Sequence, residues 1–217
     1  MAGKAVRPDG RARRVIGLLF CEDQNDAESL KNLVVAIWPA APRIEYCRKP
    51  LILVRDLNRA QERKKNASKV MAIVKAKREL AEVRFVIAHQ DCDAVEPAHT
   101  ALASKIRDEL TEEGVPNVVP AAPAWEIEAW WYQWPRAVAA VNSKWRPLNR
   151  TGNHGMLTNA KEMLRRDLRA NGARDYEESD SPRIAQKVKE LGILNLRTGT
   201  CGSFIAFRDV IARVAKE

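Results

Sequence analysis

No apolar run in this chain approaches the ~20 residues that a membrane-spanning helix requires, which excludes a helical membrane protein. The basic start, MAGKAVRPDGRARR, leads into only seven apolar-rich residues, Val15 to Cys21. Acidic residues then follow where a secretory signal would carry a small-residue cleavage site, so no signal is read. The four cysteines, Cys21, Cys47, Cys92 and Cys201, include no CxxC pair, so zinc-finger and thioredoxin signatures are absent. Free thiols in a reducing cytoplasm are the expectation. The GxxxxGK[ST] pattern is missing as well, so any ATP this protein works with belongs to a partner. There is no internal repeat and no low-complexity segment.

What is present suits one folded domain. The 217 residues are 46% hydrophobic, enough to bury a core, and 30% charged. The net charge of +9 is concentrated in two places. Residues 1–14 carry +4 and residues 59–78 carry +7, which leaves −2 for all the rest. Clustering of this kind suits a polyanion such as nucleic acid, although a charge run is also the ordinary face of a solvated helix.

The hydrophobic pattern predicts an α/β order. VIGLLFC (15–21) reads as a strand covered on both faces. Leu30, Leu33, Val34 and Ile37 mark one face of a helix, with Asn25 or Asp26 as its cap and Pro39 beyond its end. A second strand lies in IEYC (44–47), or in LILV (51–54) if the first is loop. A long basic helix follows Asn58, then the strand VRFVIAH (83–89), a helix around 98–113 stopped by Gly114, and the short strand NVVPAAP (117–123). This alternation implies a mostly parallel sheet with right-handed crossovers. The remainder is expected to be a helical extension, residues 125–217, packed on an α/β domain of residues 15–124 and preceded by a basic flexible arm, 1–14. Its helices are predicted at 158–169, 182–191 and 203–216.

Sites in such sheets form at the C-terminal ends of the strands. Glu22 follows the first strand, and Asp91 and Asp93 follow the third. Carboxylates at alternate positions leaving a strand can converge on one divalent ion, and oxygen donors suit Mg²⁺ or Mn²⁺. The bland reading of the DxD is a turn with a helix cap. Glu126 and Glu128 are two apart, so on a helix they would diverge by about 200°; both could face inward only where the chain is still extended. Glu126 is the candidate site residue, and Glu128 is expected to make a structural contact, to an Arg of the tail for example. Four of the six Trp residues fall between 125 and 134. They could stack on bases, but the i, i+4 spacing of Trp130 and Trp134 favours packing in a core or an interface with a second copy or a partner. His89 is read as a hydrogen-bonded histidine at a strand end. The segment 148–169, with Gly152, Gly155, Lys161 and Arg165, reads either as a phosphate-contacting lid or as a plain surface loop.

Four motifs, CEDQND (21–26), HQDCD (89–93), WEIEAWW (125–131) and CGSFIAF (201–207), occur in an order and spacing that resembles a compact bacterial family of Toprim-like proteins. That family is related to the overcoming-lysogenization-defect nucleases and is often encoded beside ATPases in phage-defence loci. It shows an EGxTE-like motif after strand one, a DxD, an IExW motif and a CxSF-x-x-F motif. Asp23 stands where the family prefers Gly, and Asp26 where it often has Glu. The resemblance implies a Toprim-like, Rossmann-like sheet and Mg²⁺- or Mn²⁺-dependent nuclease activity on DNA or RNA. Asp91 and Asp93 would then hold metal, Glu22 would act as metal ligand or general acid/base, and Glu126 would support them. Arg63, Lys64, Lys65, Lys69, Lys161 and Arg165 would contact nucleic acid. It also implies an ATPase partner. The competing readings are a non-catalytic subunit that docks to an ATPase and a nucleotide-sugar transferase that uses its DxD. A phosphatase of the haloacid-dehalogenase type would need its DxD after the first strand, which this chain lacks.

Overall fold

The alternation of apolar residues along the first strand sets the layers. The computed structural model describes residues 13–48 and 59–217; the predicted arm up to residue 12 and the alternative strand LILV (51–54) lie outside these. In β1 (Val15–Cys21), Ile16, Leu18 and Phe20 enter one apolar cluster while Leu19 and Cys21 enter another, because successive side chains leave a strand on opposite faces. β2 (Arg43–Arg48) pairs with one edge of β1 and β3 (Glu82–His89) with the other. β4 (Val118–Ala121) adds beyond β3. All pairings are parallel and the strand order is β2-β1-β3-β4. Gly17 makes room at the centre: a Cβ there would run into the Phe85 ring of β3.

Helices cover both faces. α1 (Gln24–Ile37) follows β1, α2 (Ala60–Arg78) precedes β3, and α3 (Ala98–Glu112) precedes β4. Val70 and Val74 of α2 pack with Ile106 and Leu110 of α3 against Leu18, Phe20 and Val86. The opposite face takes Leu30, Leu33 and Val34 of α1 together with the C-terminal third of the chain. That third contains α4 (Glu128–Trp131), α5 (Pro135–Val141), α6 (Ala160–Leu168), α7 (Ser181–Glu190) and α8 (Gly202–Val214). It shares one continuous apolar cluster with the sheet, so it forms the third layer of the fold. No helix among the described residues is long and apolar enough to cross a membrane.

The expected helices and strands appear within a residue or two of their predicted limits, with the short α4 and α5 as unforeseen additions, the second opened by Pro135 at its first turn. One local expectation changes. The cap of α1 is Asp23, not Asn25 or Asp26; its Oδ1 accepts the N–H groups of Asn25 at 2.6 Å and Asp26 at 3.0 Å. Its backbone is extended (φ −126°), so glycine's freedom is not needed at that position. Of the two packing readings of the Trp cluster, the core holds: Trp130, Trp131 and Trp134 are fully buried within the chain, and Trp125 is half-buried.

The CGSFIAF segment fastens the third layer. Trp130 Nε1 donates to Ser203 Oγ (2.9 Å), and the Trp130 ring stacks on Phe207 and meets Phe204 edge-on. Glu96, in the loop after β3, receives the Ser203 N–H at 2.9 Å and Asn153 Nδ2 at 2.8 Å, so a carboxylate caps the first turn of α8. Burial pushes the Cys201 thiol up to about 11, which keeps it protonated and able to donate to the same carboxylate. Replacing Glu96 by Ala strands these donors. We expect a loss of about 1–2 kcal/mol in urea unfolding, with an unchanged m-value.

Candidate metal centre

The parallel register brings the ends of β1 and β3 together. Phe20 lies beside Ala88, so the next residues, Cys21 and His89, leave the sheet as neighbours. Just beyond them lies a cavity of about 200 Å³. Glu22 and Asp23 after β1, Asp26 in the first turn of α1 and Asp91 after β3 form one side. Glu126, Glu128 and Glu178 form the other, with Lys161 as the single cation among the described residues that line it.

Glu126 and Glu128 both line this space although Ile127 between them is already helical (φ −59°, ψ −24°), so the expectation that a helical backbone would keep one of them away does not hold. Glu126 Oε2 accepts the Lys161 N–H (3.0 Å) at the start of α6, and Glu126 Oε1 lies 3.8 Å from Lys161 Nζ. Glu128 Oε1 accepts from Tyr176 Oη at 3.0 Å rather than from an arginine. Tyr176 in turn meets Ser181 Oγ (2.6 Å), which accepts from Trp131 Nε1 (2.8 Å). With Tyr176 donating to Glu128, Ser181 donates to Tyr176, and the whole chain of hydrogen bonds points at the Glu128 carboxylate.

His89 is buried and lies between one thiol and two carboxylates. Its Nδ1 is 3.2 Å from Cys21 Sγ and 3.9 Å from Asp26 Oδ2, and its Nε2 is 3.4 Å from Asp91 Oδ1. The last contact falls outside hydrogen-bond geometry, so two buried polar atoms, His89 Nε2 and Asp91 Oδ1, face each other without a hydrogen-bond partner.

The other sequence candidates are placed differently. Asp93 is exposed and is not among the residues lining the cavity. The alternation that would align it with Asp91 ends at its own backbone, which turns to φ +51°, while its N–H donates to the Trp125 carbonyl. Lys64, Lys65 and Lys69 are exposed on α2, whereas Arg63 is committed to Glu109 of α3 at 2.5 Å. Arg165 Nε donates to the Tyr176 carbonyl (3.2 Å). The loop before α6 is tied to the tail through His154 N–H to the Thr200 carbonyl and Thr200 N–H to the Gly152 carbonyl, each 2.7 Å. Asp26, Cys21 and His89 were not singled out by sequence as a group. Their signal was that two adjacent parallel strands each end in a residue able to bind metal, Cys21 directly before Glu22 and His89 two residues before Asp91.

The electrostatics follow from crowding like charges in a sheltered space. Burial, with Asp91 and Asp23 nearby, raises the Asp26 carboxyl to about 7 against the opposing pull of His89. Burial raises Glu128 to about 8, assisted by Asp26, and raises Glu126 as well. A carboxyl whose value is higher folded than unfolded binds more protons in the folded state between the two values. Its stabilising contribution is therefore complete below about pH 4 and is lost as pH rises through about 7 to 8. We expect chelator-treated protein to lose about 2–4 kcal/mol between pH 5.5 and 8.5, or roughly 5–10 °C in Tm. Mn²⁺ should restore more of that loss at the higher pH, which thermal melts at both pH values would measure.

Fold and site together define an α/β protein with a four-stranded parallel sheet and an acidic cavity at its C-terminal edge. No protein-family model, no curated protein and no solved structure matches the chain.

Proposed function

We propose that this protein is a Toprim-like, metal-dependent nuclease that hydrolyses phosphodiester bonds in DNA or RNA. The observation that carries the reading is the convergence of seven carboxylates and one lysine at the C-terminal edge of the parallel sheet. Such a set is costly without a cation, and the raised carboxyls of Asp26 and Glu128 express that cost.

The donor set fits a hard divalent ion. Glu22, Asp91 and Glu126 are oxygen donors on an open cavity, the ligand type that Mg²⁺ or Mn²⁺ prefers. Bound there, such an ion would neutralise charge that develops on a phosphoryl oxygen. Where it does not itself hold the ion, Glu22 would take a proton from the attacking water or return one to the leaving oxygen. Lys161, which donates to Glu178 at 2.8 Å, would exchange that bond for one to a phosphate oxygen. Tyr176, Ser181 and Trp131 hold Glu128 in position. Outside the cavity, Lys64, Lys65 and Lys69 would track the nucleic-acid backbone independently of sequence. They belong to the first half of α2, whose far end lies only four residues before β3 begins; the start of α2 is therefore directed toward the edge that carries the cavity. The motif resemblance extends the proposal to a cytoplasmic effector of an anti-phage defence system acting with an ATPase. A nucleotide-sugar transferase is disfavoured, because only one carboxylate of its DxD lines the cavity.

The test is incubation of the purified protein with supercoiled plasmid and with structured RNA in Mg²⁺, Mn²⁺ or EDTA. Cleavage should require metal and should be lost in Glu22→Gln. Cleavage in EDTA, or at full rate in Glu22→Gln, would overturn the reading. Failure to cleave either polymer with either ion would replace it with the non-catalytic subunit.

A further inference from the structure

Among the described residues, one trio of side chains brings metal-competent atoms within 4.8 Å of one another: Cys21, Asp26 and His89. The geometry points to a second kind of metal position at the base of the cavity. It would be a site for a borderline transition ion such as Zn²⁺, held by Cys21 Sγ, His89 Nδ1 and Asp26 Oδ2 and distinct from the oxygen-only site proposed above.

The spacing supports this. Ideal tetrahedral coordination with metal–sulfur, metal–nitrogen and metal–oxygen bonds of about 2.0–2.3 Å places neighbouring ligand atoms about 3.4–3.6 Å apart. The sulfur–nitrogen separation of 3.2 Å and the nitrogen–oxygen separation of 3.9 Å bracket that range. Small side-chain shifts would therefore suffice.

The ligand types select the ion. Thiolate is a poor ligand for Mg²⁺ and a good one for Zn²⁺, and imidazole has the same preference. One thiolate and one carboxylate also neutralise a divalent ion. Cys21 and His89 are only 4% and 3% exposed, which would leave the open coordination position on the side of Asp26 and the cavity.

An outer partner for the histidine is already in place. A metal-bound imidazole usually turns its other ring N–H to a carboxylate, which fixes the tautomer. Asp91 Oδ1 stands 3.4 Å from Nε2, and both atoms are buried without a hydrogen bond. An Nε2–H facing Asp91 leaves the Nδ1 lone pair directed at Cys21 and Asp26.

The same atoms could be read as a thiol nucleophile with a histidine base. Reactive thiolates, however, sit in electropositive and partly exposed surroundings. Here the neighbouring cavity holds seven carboxylates and one lysine, and the sulfur is buried.

The experiment uses Co²⁺ as a probe, added to chelator-treated, reduced full-length protein. We expect one equivalent to give a near-ultraviolet thiolate-to-cobalt charge-transfer band and the intense visible bands of four-coordinate cobalt. The charge-transfer band should vanish in Cys21→Ser and persist in Cys92→Ser. His89→Gln should weaken binding at least tenfold, and Asp91→Asn about tenfold or more, the scale of an outer-shell loss. Far-UV circular dichroism verifies that each variant is folded. Absence of the band in the unmodified protein, or its survival in folded Cys21→Ser, would overturn the inference and leave Cys21 and His89 as a thiol–imidazole hydrogen bond. The readout needs no substrate. A protein that cleaves with Mg²⁺ but gives no cobalt–thiolate band refutes this inference alone, and one that gives the band but never cleaves refutes the nuclease reading alone.

Discussion

Trp130→Ala should lower the unfolding free energy by about 3–5 kcal/mol, the range for removing a large aromatic from a packed core. Trp130 has no solvent exposure and stands between the sheet and the tail. Its ring stacks on Phe207 at a centroid distance of 5.4 Å and meets Phe204 at the same distance. Its indole N–H is paired with Ser203 Oγ. Truncation therefore removes three kinds of contact and leaves a cavity at the junction of α4 and α8. Trp130→Phe separates these terms. It retains most of the apolar area and loses the hydrogen bond, so it should cost roughly 1–2 kcal/mol. Urea unfolding of the two variants gives the comparison. If Trp130→Ala cost under about 1 kcal/mol, the third layer could not be anchored as described.

How far the sequence foretold this arrangement depended on what signal each part carries. The sheet and its covering helices were legible because buried parallel strands read as unbroken apolar runs, as in VIGLLFC and VRFVIAH, and α1 and α8 carry apolar residues at helical spacing. The carboxylates Glu22 and Asp91 were legible by the strand-end rule, since topology alone places them at one edge. The inner trio was not, because it depends on register. Only the pairing of Phe20 with Ala88 makes neighbours of Cys21 and His89, which are 68 residues apart. The role of Glu128 was hidden for a related reason. Its partner Tyr176 comes from an irregular segment before α7, where periodicity gives no guide. Asp93 stands apart from the cavity lining for a different reason: its own left-handed backbone breaks the alternation that would align it with Asp91.

That break makes the two aspartates of HQDCD experimentally separable. On the nuclease reading proposed above, Asp91→Asn in Mg²⁺ should reduce the rate of nucleic-acid cleavage by about 10²- to 10³-fold, equivalent to roughly 3–4 kcal/mol of lost transition-state stabilisation. Asp93→Asn should remain within about threefold of the unmodified protein, because a change of well under 1 kcal/mol is expected from a side chain outside the cavity. The amide is chosen because it preserves shape: Asp91 lies against His89, and truncation would mix a charge effect with a packing effect. The two substitutions remove the same charge from positions two residues apart, so long-range attraction of the nucleic acid changes almost equally in both. Any large difference must therefore come from the cavity itself. Equal losses would return Asp93 to the metal centre and require the turn at residue 93 to rearrange when the ion binds. Equal retention would remove the DxD from the chemistry and leave Glu22, Glu126 and the Cys21–Asp26–His89 trio as the groups to test next.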